Sequence, residues 1–213
     1  MEAGTFATWG MLLGLGAFHG INPGMGWLFA VALGMQERSR TAVFRSLLPL
    51  AAGHALAVGA AIAVAIAAGV AVPMEYLRWA VAATLLALGA MRLFRHKHPR
   101  WASMRVGIRG LTFWSFLMAS AHGAGLMVVP IFMGMTIASQ TSHCHGFALA
   151  SAGAGPAVLA TVLHAAGYLA VTALAAFLVF EKFGLSLLRR TWFNLDLIWA
   201  GALVTTSALT ILL

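Results

Sequence analysis

The sequence predicts an all-α integral membrane protein: six transmembrane helices built as two inverted three-helix repeats, the first helix of each repeat broken. Three observations predict it. The chain of 213 residues is 62% hydrophobic and only 8% charged, with a mean hydropathy of +0.92, whereas soluble domains run at roughly 45–50% apolar and about 25% charged. No charged side chain occurs from Ala3 to Gln36, from Ser46 to Met74 or from Gly110 to Phe180, and a bilayer-spanning helix needs about 20 mostly apolar residues. Finally, four of the eight histidines fall inside the spans that these runs supply, in a pattern that repeats.

Six spans fit in order: about 5–35, 41–69, 73–93, 111–138, 153–180 and 193–213. The start Met1-Glu2-Ala3-Gly4 lacks the basic segment of a cleavable signal peptide, so the first run is read as mature structure. Span 3 carries Glu75 and Arg78 in its first turns, where they are expected to pair at i,i+3 and snorkel to the interface. Asn194 and Asp196 suit the start of span 6 as N-cap and first-turn acid.

The bases set the orientation. Arg38, Arg40 and Arg45 follow span 1; Arg92, Arg95, Lys97, Arg100, Arg105 and Arg109 follow span 3; Lys182, Arg189 and Arg190 follow span 5. Only Arg78 falls on the other side. The positive-inside rule makes the basic side cytoplasmic and puts both termini outside. The net charge of +8 is therefore read as a topology signal, with anionic-lipid binding by 92–109 as the alternative, and no nucleic-acid partner is expected. Residues 1–94 form the first repeat, 95–110 a basic cytoplasmic linker and 111–213 the second repeat. A single cysteine, Cys144, rules out a disulfide scaffold.

The repeat is carried by His19, His54, His122 and His164. His19 lies 17 residues before Gln36, and His122 lies 17 before Ser139. His54 lies 13 after Thr41, and His164 lies 13 after Ser151. Local sequence echoes this, with Ala17-Phe18-His19-Gly20 set against Ser120-Ala121-His122-Gly123. An odd number of spans per repeat inverts the second copy. A helix of thirty residues would run about 45 Å against a hydrocarbon core of about 30 Å, so a break is expected in the first span of each copy. Asn22 can cap a new start, Pro23 suits its first position, and Gly123 and Gly125 loosen the second copy. Such corresponding breaks point to a transporter's substrate pathway, here at Asn22 and Pro23.

Ionisable groups inside a membrane are costly and mark function, although a lone histidine or glycine in a span also serves helix packing. Four imidazoles converging near a pseudo-two-fold axis, with Met25 and Met127 close by, offer nitrogen and thioether ligands suited to copper, nickel, cobalt or zinc and not to magnesium or calcium. Methionine in a span otherwise packs. Ser142-His143-Cys144-His145-Gly146, between spans 4 and 5, offers an outer capture loop for a soft metal, or an ordinary polar turn.

Residues 12–65 carry a family resemblance: a span histidine, a broken Gly/Asn/Pro stretch, Gln36-Glu37-Arg38-Ser39-Arg40, then Gly53-His54 in the next span. The chain resembles the nickel/cobalt transporter family of the lysine-exporter superfamily, with a fainter echo in 115–175. The resemblance implies a small transporter of three-helix repeats, in which His19 matches the first histidine of the metal-ligating signature and His54 the histidine of the Gly-His pair. That family's first motif continues with two aspartates and a second histidine; here Asn22-Pro23-Gly24-Met25 stands instead. Every acid lies at a span end, so a divalent ion at mid-depth would keep its charge uncompensated. Monovalent copper, which accepts few ligands and thioether sulfur, is ranked above nickel and cobalt on that ground.

The expectation is a transporter, not an enzyme, of the bacterial-type cytoplasmic (inner) membrane. Its partners are the lipid bilayer and a metal ion, in a setting compatible with a homo-oligomer or accessory subunits. Three alternatives stand beside it: a protein holding haem between span histidines, a subunit inserting metal into a larger complex, and an amino-acid exporter whose substrate carboxylate meets the half-helix at Pro23.

Overall fold

The computed structural model describes residues 2–94, 108–139, 154–183 and 195–212, and every element among them is helical. In chain order these are α1 Glu2–Ile21, α2 Trp27–Glu37, α3 Arg40–Ala71, α4 Met74–Phe94, α5 Ile108–Ala121, α6 Ala124–Ser139, α7 Ala154–Leu178 and α8 Leu195–Leu212. A 3-10 turn, Pro23–Met25, joins α1 to α2, and a π turn, Val179–Phe183, extends α7. Two helical stretches, Arg40–Gly69 and Ala154–Lys182, are long and apolar enough to cross a membrane. The pair α5–α6, bent by 61°, makes a third if counted as one span. α1 and α8 contribute shorter apolar stretches, Phe6–Ile21 and Ile198–Leu212.

The break after α1 is local chemistry. Asn22 is extended, and its side-chain oxygen accepts from the Gly24 N–H at 2.9 Å, capping the turn that Pro23 opens. Gly26 follows with φ +144°, a backbone that glycine alone adopts readily. A Cβ there would also stand 2.9 Å from the Tyr168 hydroxyl and 3.0 Å from Leu50. The Trp27 indole N–H donates to the Ile21 carbonyl at 3.0 Å, satisfying an acceptor that the end of α1 leaves open. Between α5 and α6 the corresponding interruption falls at Gly123, with φ +72°.

Close crossings hold the helices together. α1 runs along α7, α3 along α5, and α4 along α8, while α3 also meets α6 and α7. Glycine makes the first two crossings tight. A Cβ on Gly16 would overlap the His164 carbonyl oxygen, one on Gly167 the Leu13 carbonyl oxygen, and one on Gly53 the Thr112 carbonyl oxygen. Small residues at such crossings let backbones approach where lipid removes the hydrophobic drive between helices. The larger core includes Leu12, Met25, Val58, Ile62, Leu85, Met127, Phe132, Tyr168, Trp199 and Leu203. A second core joins Trp27, Val31 and Leu47 to Leu111, Ala176 and Val179 around α2.

Ionic contacts differ from those the sequence predicts. Arg78 does not pair with Glu75; its guanidinium donates to the Ile211 carbonyl at 2.8 Å. The C-terminal carbonyls of α8 are open acceptors within reach, so a helix end outcompetes an exposed i,i+3 partner. Arg40 and Glu181 form the one ion pair among the described residues, joining the start of α3 to the π turn through a 2.8 Å bond. Asp196 falls in the first turn of α8. Asn194, most of the 92–109 basic segment, and the 139–150 loop beyond Ser139 lie outside the described residues.

Candidate functional site: a buried histidine cluster

Three of the four histidines singled out in the apolar helices meet. His19 comes from the last turn of α1, His54 from the middle of α3 and His164 from α7, each fully buried. The His19 ring centre lies 5.1 Å from that of His164 and 5.8 Å from that of His54; His54 and His164 are 5.3 Å apart. The tight α1–α7 crossing at Gly16 and Gly20 is what draws His19 and His164 together.

Backbone carbonyls set two of the rings. His19 Nδ1 donates to Leu15 O at 2.7 Å, and His164 Nδ1 donates to Leu12 O at 3.2 Å. A carbonyl only accepts, so Nδ1 carries the proton; in the neutral ring the lone pair is then on Nε2. Both Nε2 atoms are buried without a hydrogen-bond partner, as are both nitrogens of His54. Leaving a buried polar group unsatisfied costs about 1–3 kcal/mol, so unpaired groups of this kind call for a water, an ion or another partner. A metal-ligating histidine usually donates its other N–H to a carbonyl or carboxylate, the arrangement His19 and His164 display.

His122 is also buried. Its Nδ1 donates to Met118 O at 2.7 Å, and its ring lies 5.7 Å from the Trp199 indole. That indole also lies 4.8 Å from His19 and 4.6 Å from Phe18. Met25 and Met127 are both buried in the larger core, Met25 within the 3-10 turn. Asn22 is buried, with its side chain committed to the turn, and Pro23 is half-buried beside it. His143, Cys144 and His145 lie outside the described residues.

Two residues that sequence reasoning passed over belong to the site. Tyr168, one turn along α7 from His164, stacks on His54 at 4.0 Å with planes 2° apart, and its hydroxyl donates to Met25 O at 2.6 Å. Trp199 of α8 touches both His19 and His122. Spacing gave one usable hint, since Tyr168 sits at i+4 from His164 and so shares its face.

No family model matches the chain, and neither do any curated protein or solved structure.

The imidazole separations suit a shared ion in size. Ligand bonds of about 2.0–2.1 Å at tetrahedral angles put ring centres roughly 5 Å apart. Orientation differs: His54 and His164 are nearly parallel, 8° apart. As the rings stand, no three His, Cys, Asp or Glu side chains among the described residues are placed to hold a metal ion. Closing the three Nε2 atoms on one point requires ring rotation, most directly at His54, which no hydrogen bond restrains.

Proposed function

We propose that this chain is a six-span transporter of a transition-metal ion in the cytoplasmic membrane, carrying its cargo through His19, His54 and His164. The observation that carries the reading is the set of unpaired ring nitrogens on three helices, two of them tied through Nδ1 to backbone carbonyls. A bound ion would satisfy lone pairs that folding leaves exposed to no partner.

Packing symmetry supports the inverted repeat. Exchanging α1 with α5, α3 with α7 and α4 with α8 returns the same principal crossings, α1 on α7, α3 on α5 and α4 on α8. The His19–Leu15 bond has its counterpart in the His122–Met118 bond, both to the carbonyl four residues earlier. Breaks at Asn22–Gly26 and at Gly123 fall in the corresponding first helices, the arrangement that places substrate sites in repeat-built transporters. The split of twelve bases against one supports an orientation with both termini outside.

Monovalent copper is the cargo the site favours. His54 and His164 are fully buried and no acidic side chain is buried among the described residues, so a single positive charge costs far less to desolvate than two. Met25 and Met127 supply thioether sulfur within that core. The test is uptake into proteoliposomes offered Cu(I), Ni(II), Co(II) and an amino-acid pool. Copper uptake lost in His19→Ala is the expected result; amino-acid uptake indifferent to that substitution would overturn the reading.

A further inference from the structure

The three imidazoles are not equivalent. Backbone carbonyls hold His19 and His164 through Nδ1, so each presents Nε2 alone. His54 is equally buried, yet neither of its nitrogens is hydrogen-bonded. Its ring is held by a face, the parallel Tyr168 ring 4.0 Å away. Tyr168 is pinned in turn by its hydroxyl, which donates at 2.6 Å to the Met25 carbonyl inside the turn that breaks the first helix. Gly26 brings that turn so close that a Cβ would meet the same hydroxyl.

We propose that His54 is the movable ligand of the site, that Tyr168 is its positioning residue, and that the Tyr168–Met25 bond couples His54 to the break between α1 and α2. This rests on the metal-site reading above. An imidazole with no hydrogen bond to lose is the one that can turn toward an ion at least cost, offering either nitrogen. A stacked ring fixes its plane without claiming its lone pairs. When the half-helix beyond Asn22 swings, the Met25 carbonyl moves with it, Tyr168 follows, and His54 loses its platform. Turning of His54 toward or away from the ion is thereby linked to movement of the broken helix, the element expected to open the pathway.

Two substitutions separate the parts. Tyr168→Phe keeps the stack and removes the bond to Met25; Tyr168→Leu removes both. The metal-free arm reads nitrogen-15 NMR of the imidazoles in purified protein. His19 and His164 are expected as fixed Nδ1–H tautomers in all forms, while His54 shifts in Tyr168→Leu and hardly in Tyr168→Phe. A His54 signal unmoved by Tyr168→Leu overturns the positioning role. The second arm uses Cu(I). Tyr168→Phe is expected to keep affinity within about threefold while slowing proteoliposome uptake by roughly three- to tenfold, the scale of one buried hydrogen bond. Unchanged uptake overturns the coupling, and this arm decides the matter if the Leu variant does not fold. Imidazole signals of the wild type untouched by Cu(I) would overturn the metal site itself, while the metal-free comparison still decides the role of Tyr168.

Discussion

Gly16 and Gly14 lie two residues apart in α1, and alanine at the two positions should have opposite consequences. A Cβ on Gly14 meets nothing within 4 Å, whereas one on Gly16 overlaps the His164 carbonyl oxygen and stands 2.8 Å from its carbon and 3.0 Å from the Tyr168 nitrogen. Ordinary carbon contacts lie at about 3.5–4.0 Å, so α1 and α7 must separate by roughly 1.5 Å. The obstacle is backbone, which has no rotamer to escape into. Both variants gain the same helix propensity over glycine, up to about 1 kcal/mol; that gain cancels in the comparison. What remains is overpacking, typically 1–3 kcal/mol. Gly16→Ala should therefore be less stable than Gly14→Ala by about 1–3 kcal/mol in reversible denaturant unfolding of purified protein. Because the displaced carbonyl belongs to His164, metal affinity should fall too, since a site loosened beyond about 0.5 Å loses its geometry. Equal stability of the two variants, within about 0.5 kcal/mol, would refute the close α1–α7 crossing that assembles the site.

Asn22→Ala removes the cap on Gly24 and should cost about 0.5–2 kcal/mol in the same unfolding assay, with Asn22→Ser keeping most of it. A double-mutant cycle of Arg40→Gln and Glu181→Gln should give a coupling under about 1 kcal/mol, because this pair is solvent-exposed on the Arg40 side. In a background with Cys144 replaced, single cysteines placed in 139–150 should react with an impermeant reagent from outside. Those placed in 92–109 should react only after permeabilisation, and labelling of the latter in intact cells would contradict the orientation.

Local signals were legible in the sequence and distant ones were not. Asn22, Pro23 and the glycines announced the break because capping and helix-breaking act within a few residues. His19, His54 and His164 stood out because an imidazole in an apolar run is costly wherever it sits. Tyr168 and Trp199 carried no such signal: an aromatic in a span packs by default, and only the crossing of α7 and α8 on their neighbours gives these two their roles. The same holds for Arg78, whose partner at Ile211 lies more than a hundred residues away and was hidden behind the nearer Glu75. The expected fourth member, His122, shares the i−4 carbonyl bond of His19 yet rests on Trp199, a contact that repeat spacing alone does not encode.

Whether His19, His54 and His164 hold the cargo ion is tested most directly by metal binding to purified protein under reducing conditions. A single Cu(I) per chain is expected, resistant to excess Ni(II). Alanine at His19, His54 or His164 should each weaken it by more than roughly a hundredfold, beyond the 10–100-fold typical of losing a group that only supports a ligand, and His122→Ala should weaken it less. Tight Ni(II) binding unaffected by Cu(I), or copper binding indifferent to all three substitutions, would contradict the account.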